Sequence, residues 1–345
     1  MTLPAEGLDL APEPEHAGDV AVDAILGEEG EASTTTAIQG RSLRQIAWRR
    51  LKQDKVALTG GIVVCVFVFV AIFAKPLCAL YGQTPNTPHQ DLVNPNTLMP
   101  IGPLSGMSTT HWLGITPVSG YDILANLIYG ARTSLIIASL ATALSLLFGV
   151  TLGLMAGYFR GSLDLSITWL MDVLLSFPTL LFSIALLSVF SLIPSFLGLS
   201  GTPLRFAVII FVLGFFGFPY IGRIIRGQVL SIREKEFVDA SRSLGASNFR
   251  IVTREIIPNV LGPILVYTTL TIPNYMLGEA GLSYLGVGVP PGTPSWGQML
   301  SDAGNYFQVD PWYLFVPGMT IFITVLAFNL FGDGLRDALD PRSTR

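Results

Sequence analysis

Apolar positions gather along this chain into long blocks that carry no charge. A hydrocarbon layer about 30 Å thick is crossed by about 20 apolar residues in helix. Five blocks approach or exceed that length: Val56 to Ala74, Thr133 to Phe159, Phe206 to Gly222, Ile256 to Gly278 and Pro311 to Gly332, each bounded by ionisable residues. A sixth runs from about Leu165 to Ile193, interrupted only by Asp172 and Pro178. The pattern predicts an all-α membrane protein with six transmembrane helices and both chain ends on one side.

The polar segments between these blocks set the rest of the organisation. Residues 1–40 are rich in Ala, Glu, Pro, Gly and Thr and are expected to form a disordered acidic tail, since they cannot bury enough apolar surface to fold. They lack the apolar core of a secretory signal peptide. Residues 41–55 are basic, with Leu43, Ile46, Trp48 and Leu51 interleaved, which suits an amphipathic helix lying along the lipid interface; so short a run is a poor nucleic-acid site. The first span is assigned to 56–80. An outer segment, 81–132, follows and ends in an expected amphipathic helix over Tyr121–Tyr129. A five-helix core occupies 133–332 and includes a long loop at 223–258. Within it Ala280–Asp310, with Pro290, Pro291 and Pro294, reads as a folded-over loop. Residues 333–345 close the chain.

Composition agrees with a lipid-solvated protein: 345 residues, 50% hydrophobic and 13% charged, with a mean hydropathy of +0.57. The net charge of −4 misleads, because nine of the 24 acidic residues lie between Glu6 and Glu31, where there is no Lys or Arg. Basic residues in short loops resist translocation. With the N-terminus inside, 17 Lys and Arg fall on the inner side and only Lys75, Arg132 and Arg205 outside, so both termini are expected to be cytoplasmic. Cys65 and Cys78 lie thirteen positions apart, about 20 Å on a straight helix, too far for a disulfide. No cluster of Cys, His or carboxylates in the spans suggests metal handling, and no cofactor is expected.

The most informative stretch is 223–258. Phe237, Val238, Ala240, Leu244, Phe249 and Ile251 recur among its charges at spacings a helix can turn to one side, and Gly245 can break that helix. Two short helices meeting at a glycine make a projection that can dock into a partner's groove; a solvated charged loop is the plainer alternative. The stretch resembles the Glu-Ala-Ala signature of ABC importer permeases through Asp239, Ala240, Ser241, Gly245, Ile257 and Pro258, with Glu236 just ahead of it. Asp stands for Glu, Ile for the Leu before the proline, and Glu255 where many permeases carry isoleucine.

Other segments resemble the second permease of the dipeptide, oligopeptide and nickel importers. They are His111-Trp112-Leu113-Gly114 through Asp122, Ile128 to Arg132, Met171 to Pro178, Leu282 to Gly288 and Gly332 to Pro341. Tyr121 replaces an arginine common before that aspartate. The resemblance covers roughly Arg44 to Pro341. It implies a type I ABC importer permease-like fold in a bacterial cytoplasmic (inner) membrane. The implied partners are a second homologous permease, two cytoplasmic ATP-binding subunits and an extracytoplasmic solute-binding protein. The implied work is passage of peptides, with nickel or another small solute as the alternative, driven by ATP hydrolysed in separate subunits. The residues agree with that division. A phosphate-cradling loop needs Lys after Gly, and none of Lys52, Lys55, Lys75 and Lys235 follows a glycine.

Within the spans, Asp172 is expected to face protein or water, in a hydrogen-bonding role ahead of substrate contact. Glu279 carries the same two readings near an outer end. Pro178 is expected to kink its helix before it serves as a gate. Gly149, Gly153 and Gly157 recur every four residues and admit a close helix, within this chain first and at a seam with the second permease next. Two other functions compete. Gly198-Leu199-Ser200-Gly201 fits a short pattern around intramembrane serine nucleophiles, but His16, His89 and His111 all lie outside the spans. A stand-alone channel or secondary transporter lacks the intramembrane charges of an ion relay.

Overall fold

A computed structural model describes residues 43–339. The expected acidic tail at 1–40, His16, Arg41 and the end of the chain from Asp340 lie outside the described residues. The polypeptide is helical almost throughout. Helix α1 (Leu43–Gln53) leads through Asp54 into α2 (Lys55–Ile72), whose first free N–H groups, on Val56 and Ala57, donate to the Asp54 carboxylate at 2.9 and 3.0 Å. A break at Phe73 separates α2 from α3 (Ala74–Tyr81), so the stretch 56–80 is two helices and not one. A single turn, α4 (Pro103–Gly106), interrupts the irregular segment before α5 (Ile123–Phe159).

Helices α6 (Gly161–Ser176) and α7 (Thr179–Ser191), a hairpin of β1 (Ser195–Phe196) and β2 (Leu199–Ser200), and α8 (Gly201–Arg233) come next. Two short helices, α9 (Glu236–Ser243) and α10 (Asn248–Ile251), precede α11 (Ile257–Tyr284), α12 (Trp296–Ala303) and α13 (Pro311–Leu339). Hydroxyls inside the spans turn back onto their own helices. Thr142, Thr320 and Thr324 donate to the carbonyls of Ala138, Val316 and Thr320 at 2.7–2.9 Å, which satisfies them without water.

The direction of each span follows from which residues touch. Gly214 lies against Ala141 and Leu144, Gly149 against Phe218 and Ile221, Gly153 against Gly222 and Ile225, and Gly157 against Arg226 and Val229. Numbers rise together along both helices, so α5 and α8 run parallel. The chain between them must therefore cross back. Helix α6 packs near the late ends of α5 and α8, through Ile167 and Met171 on Ala156 and Phe218. Helix α7 packs near their early ends, through Leu187 on Ile137 and Leu204. Neither piece, 16 and 13 residues, reaches about 30 Å alone. They form one span bent by 80°. The bend falls at Phe177-Pro178, where proline has no N–H to continue the ladder and holds its predecessor in extended geometry (φ −77°, ψ 134°).

Helices α11 and α13 complete the bundle. Helix α11 is antiparallel to α5, with Glu279 beside Ser134 and Tyr275 beside Ser145. Helix α13 is antiparallel to α2, with Ala327 near Gly60 and Gly334 against Ala57. Six crossings result, and Leu51 and Ala338 meet at one end. That end also carries Arg160, α9 and α10, and is called the basic end. At the opposite end, residues 82–122 and 285–310 form a cap. It is tied together by Trp312 Nε1 donating to the Leu113 carbonyl (3.1 Å) and by Ser105 Oγ donating to Asp310 (2.7 and 2.8 Å).

Three expectations are corrected. The helix over Tyr121–Tyr129 is not separate: Asp122 caps it through the Ala125 N–H (2.7 Å), and with no proline before Thr133 it runs on through Gly130 into the span. The loop 223–258 is shorter than its charge suggested, because α8 continues to Arg233 and α11 is reached through a π-helical turn at Val252–Ile256. The segment Ala280–Asp310 contains α12, capped by Ser295 and seated on Trp296.

The glycine stripe makes the packing testable. A methyl on Gly153 would sit 2.6 Å from the Gly222 carbonyl oxygen, whereas one on Gly227 would meet nothing within 4 Å. Gly153→Ala is expected to destabilise the chain by about 1–3 kcal/mol and Gly227→Ala not at all, read as thermal unfolding midpoints in detergent.

Candidate coupling surface and intramembrane polar groups

Helices α9 and α10 form a knob bolted to the ends of two spans. Val238 of α9 and Ile251 of α10 are fully buried in a cluster with Tyr158, Val229, Ile232, Ile256 and Val260. The Tyr158 hydroxyl donates to Asn248 Oδ1 at 2.7 Å, and the Arg233 guanidinium donates to the Tyr158 carbonyl while lying over its ring. Ser247 caps α10. Gly245 turns the chain between the two helices at φ +79°, a left-handed conformation that costs a side-chain-bearing residue about 1–2 kcal/mol.

Of the signature residues, Ser241 Oγ donates to Glu255 at 3.3 Å, so the glutamate that departs from the family pattern joins α9 to the π-helical turn. Asp239 is paired only with Arg242, at 2.9 Å on the exposed face, beside exposed Glu236 and Ala240. Ile257 and Pro258 begin α11 directly after the π-helical turn, with the proline in its first turn. The outward surface is apolar at two points: Leu244 is 88% exposed and Phe249 79% exposed.

Above the knob, acidic residues of α6 meet arginines of α8. Asp164 accepts from Arg226 Nε and Nη2 at 2.6 and 2.8 Å, and Asp172 pairs with Arg223. Arg160 and Glu234 pair across the ends of α5 and α8. Asp172 thus sits in the half of the broken span nearer the basic end, against a cation. Charge periodicity could have revealed this: Asp164 and Asp172 lie about two helical turns apart on α6, and Arg223 and Arg226 one turn apart on the antiparallel α8. Pro178 marks the break. Gly149, Gly153 and Gly157 all face α8.

Glu279 is fully buried and, among the described residues, meets no cation. Its carboxylate accepts from Ser134 (3.0 Å), Ser283 (2.8 Å) and Ser295 (3.2 Å), which joins α5, α11 and the start of α12. One group escaped the sequence reading altogether. Asp122 accepts from the Tyr81 hydroxyl at 2.9 Å and holds His111 Nδ1 at 2.8 Å, and the His89 ring packs edge-on to His111. Histidine spacing gave no sign of it, since Tyr81, His89, His111 and Asp122 come from separate turns. Ser200 belongs to the β1–β2 hairpin, and neither described histidine bonds to it. Among the described residues no three His, Cys, Asp or Glu side chains converge as metal ligands would.

Among the described residues the arrangement is a knob at one end with salt bridges behind it and spans of few charges beyond. Residues 149–345 match the binding-protein-dependent transport system inner membrane component. The chain belongs to that family. Residues 42–100 match the N-terminal transmembrane domain of oligopeptide transport permease C. The dipeptide transport system permease protein of Alkalihalophilus pseudofirmus is 38% identical over 86% of this chain and 89% of its own length. The oligopeptide transport system permease protein of Bacillus subtilis is 38% identical over 87% and 90%. The glutathione transport system permease protein of Pectobacterium atrosepticum is 33% identical over 90% and 96%. Among solved structures, a chain of the inward-facing MetNI methionine ABC transporter superposes with a TM-score of 0.52 at 19% identity, over 63% of this chain and 98% of its own. That likeness shows the fold, the one anticipated for type I ABC importer permeases. The chain is a multi-pass permease of the inner membrane.

The Glu279 cluster separates its two readings by substitution. Glu279→Gln keeps an acceptor for the serines and is expected to unfold near the native midpoint. Glu279→Leu leaves three buried hydroxyls without their acceptor and is expected to lose at least about 1–3 kcal/mol. Detergent thermal melts of the two variants, beside uptake assays on the Gln form, make the comparison.

Proposed function

We propose that this chain is the transmembrane subunit of a peptide importer, pairing with a second permease and coupling cytoplasmic ATPase subunits to alternating access. The observation that carries this reading is the knob. Leu244 and Phe249 stand exposed on a two-helix projection whose base is buried in the ends of α5 and α8. Exposed apolar side chains on a rigid mount are what a partner's groove takes up. The basic end faces the cytoplasm in this reading, supported by the 17 basic residues assigned to that side in the whole sequence. The capped opposite end then meets an extracytoplasmic solute-binding protein.

ATP hydrolysis belongs to the partner subunits, and this chain moves cargo without covalent chemistry. Peptide cargo is supported by relatives that carry dipeptide, oligopeptide and glutathione transport names over nearly their whole length. Docked ATPases that close on nucleotide pull two such knobs together. The pull reaches α8 directly and α11 through the π-helical turn, shifting the populations of inward-open and outward-open states.

The test uses the complete importer in vesicles. Leu244→Asp with Phe249→Asp is expected to release the ATPase subunits on purification and to lower peptide uptake at least about tenfold, with the permease pair still inserted. Gly245→Pro and Asp239→Lys are expected to abolish uptake by altering the turn and the exposed face of α9. Normal uptake by such variants in assembled complexes would sink the coupling role.

A further inference from the structure

A cavity of about 370 Å³ opens between α8, α11 and α13. It is walled by Tyr220, Tyr267, Thr271, Asn274, Tyr275 and Asn329 together with small and aliphatic neighbours. Each of these six falls in the middle third of its helix, so the cavity lies at mid-depth in the bilayer. Its lining contains no Asp, Glu, Lys, Arg or His.

Three of its polar groups are already used. Thr271 Oγ1 donates to the Tyr267 carbonyl (2.6 Å), the Tyr275 hydroxyl donates to Ser145 Oγ (2.9 Å), and Asn274 Nδ2 donates to the Leu270 carbonyl (2.8 Å). Among the described residues nothing takes up the Asn274 carbonyl oxygen, the hydroxyls of Tyr220 and Tyr267, or the Asn329 amide. Asn274 is exposed, and Tyr220 is 64% exposed. Amides and hydroxyls without partners cost several kcal/mol each against lipid, so this face meets water or cargo.

The chemistry of the leftover groups names the cargo feature they fit. Tyrosine hydroxyls and asparagine amides both donate and accept, and none is charged. The peptide main chain offers one C=O at every residue and one N–H at every residue but proline, whatever the side chain. We propose that this cavity is the chain's half of the translocation site, and that it holds passing cargo by the peptide main chain without selecting side-chain charge. The inference rests on the peptide-importer reading above. A neutral lining also keeps the hold weak, as passage requires, since each hydrogen bond exchanged with water contributes little.

The experiment uses the complete importer with its binding protein. Asn274→Leu with Asn329→Leu is expected to leave subunit copurification unchanged. Uptake is expected to fall about tenfold, equally for acidic, neutral and basic peptides. Unchanged uptake overturns the proposal, and so does a loss confined to peptides of one charge. A second measurement does not depend on cargo. Asn274→Cys, in a chain with Cys65→Ser and Cys78→Ser, is expected to react with a water-soluble thiol reagent and to be shielded by saturating peptide during ATP turnover. A thiol that never reacts removes the water-lined cavity. A wild-type complex that imports no peptide, beside a reactive Asn274→Cys, overturns main-chain recognition through the reading beneath it and leaves the cavity standing.

Discussion

The close parallel contact of α5 with α8 constrains everything else in this bundle. Gly149, Gly153 and Gly157 let the two backbones approach until there is no room for a β-carbon between them. In lipid, where apolar burial gives no driving force between helices, such close packing supplies the van der Waals attraction that holds spans together. Two parallel helices joined by one connection force that connection across the membrane. The residues available between Phe159 and Gly201 form two short helices and a hairpin, so the crossing is made by a broken span. The break in turn lays α6 beside the late half of α8, where Asp164 and Asp172 find Arg226 and Arg223. Carboxylates that are costly on an isolated span become half of a ladder of ion pairs.

The same contact fixes the mounting of the knob. Because α5 and α8 end together, Tyr158 and Arg233 are neighbours, and Tyr158, braced by the Arg233 guanidinium, holds the start of α10 from below. Val238 and Ile251 complete the joint from the apolar side. The knob has no independent core. A force applied to it is a force on the span ends, and the π-helical turn at Val252–Ile256 makes the link to α11 continuous in backbone hydrogen bonding. The Ser241–Glu255 contact braces that link from α9.

Much of this was legible before any coordinates, for identifiable reasons. The spans announce themselves because lipid tolerates few charges over about 20 residues, and Gly245 and Pro258 announce a turn and a helix start by their backbone limits. The glycine stripe told of close packing but not of its partner, since a repeat of four on one helix carries no information about the other. Helix ends were misjudged where charge was taken as loop: Arg223 and Arg226 are helical because acids on α6 await them, which is a tertiary fact. The Asp122 cluster and the serine cage around Glu279 were invisible for the same reason. Their donors come from residues as far apart as Ser134 and Ser295, brought together only by the antiparallel packing of α11 on α5.

Placement of charge along the membrane normal follows a single economy of desolvation. Ion pairs crowd the basic end, where headgroups and water soften the cost of an imperfect pair. At mid-depth the polar groups that line the cavity are neutral. Glu279, toward the opposite end, is tolerated because three hydroxyls surround it. A charged group at mid-depth would bind oppositely charged cargo tightly and repel the rest, and either would slow passage. A neutral lining avoids both.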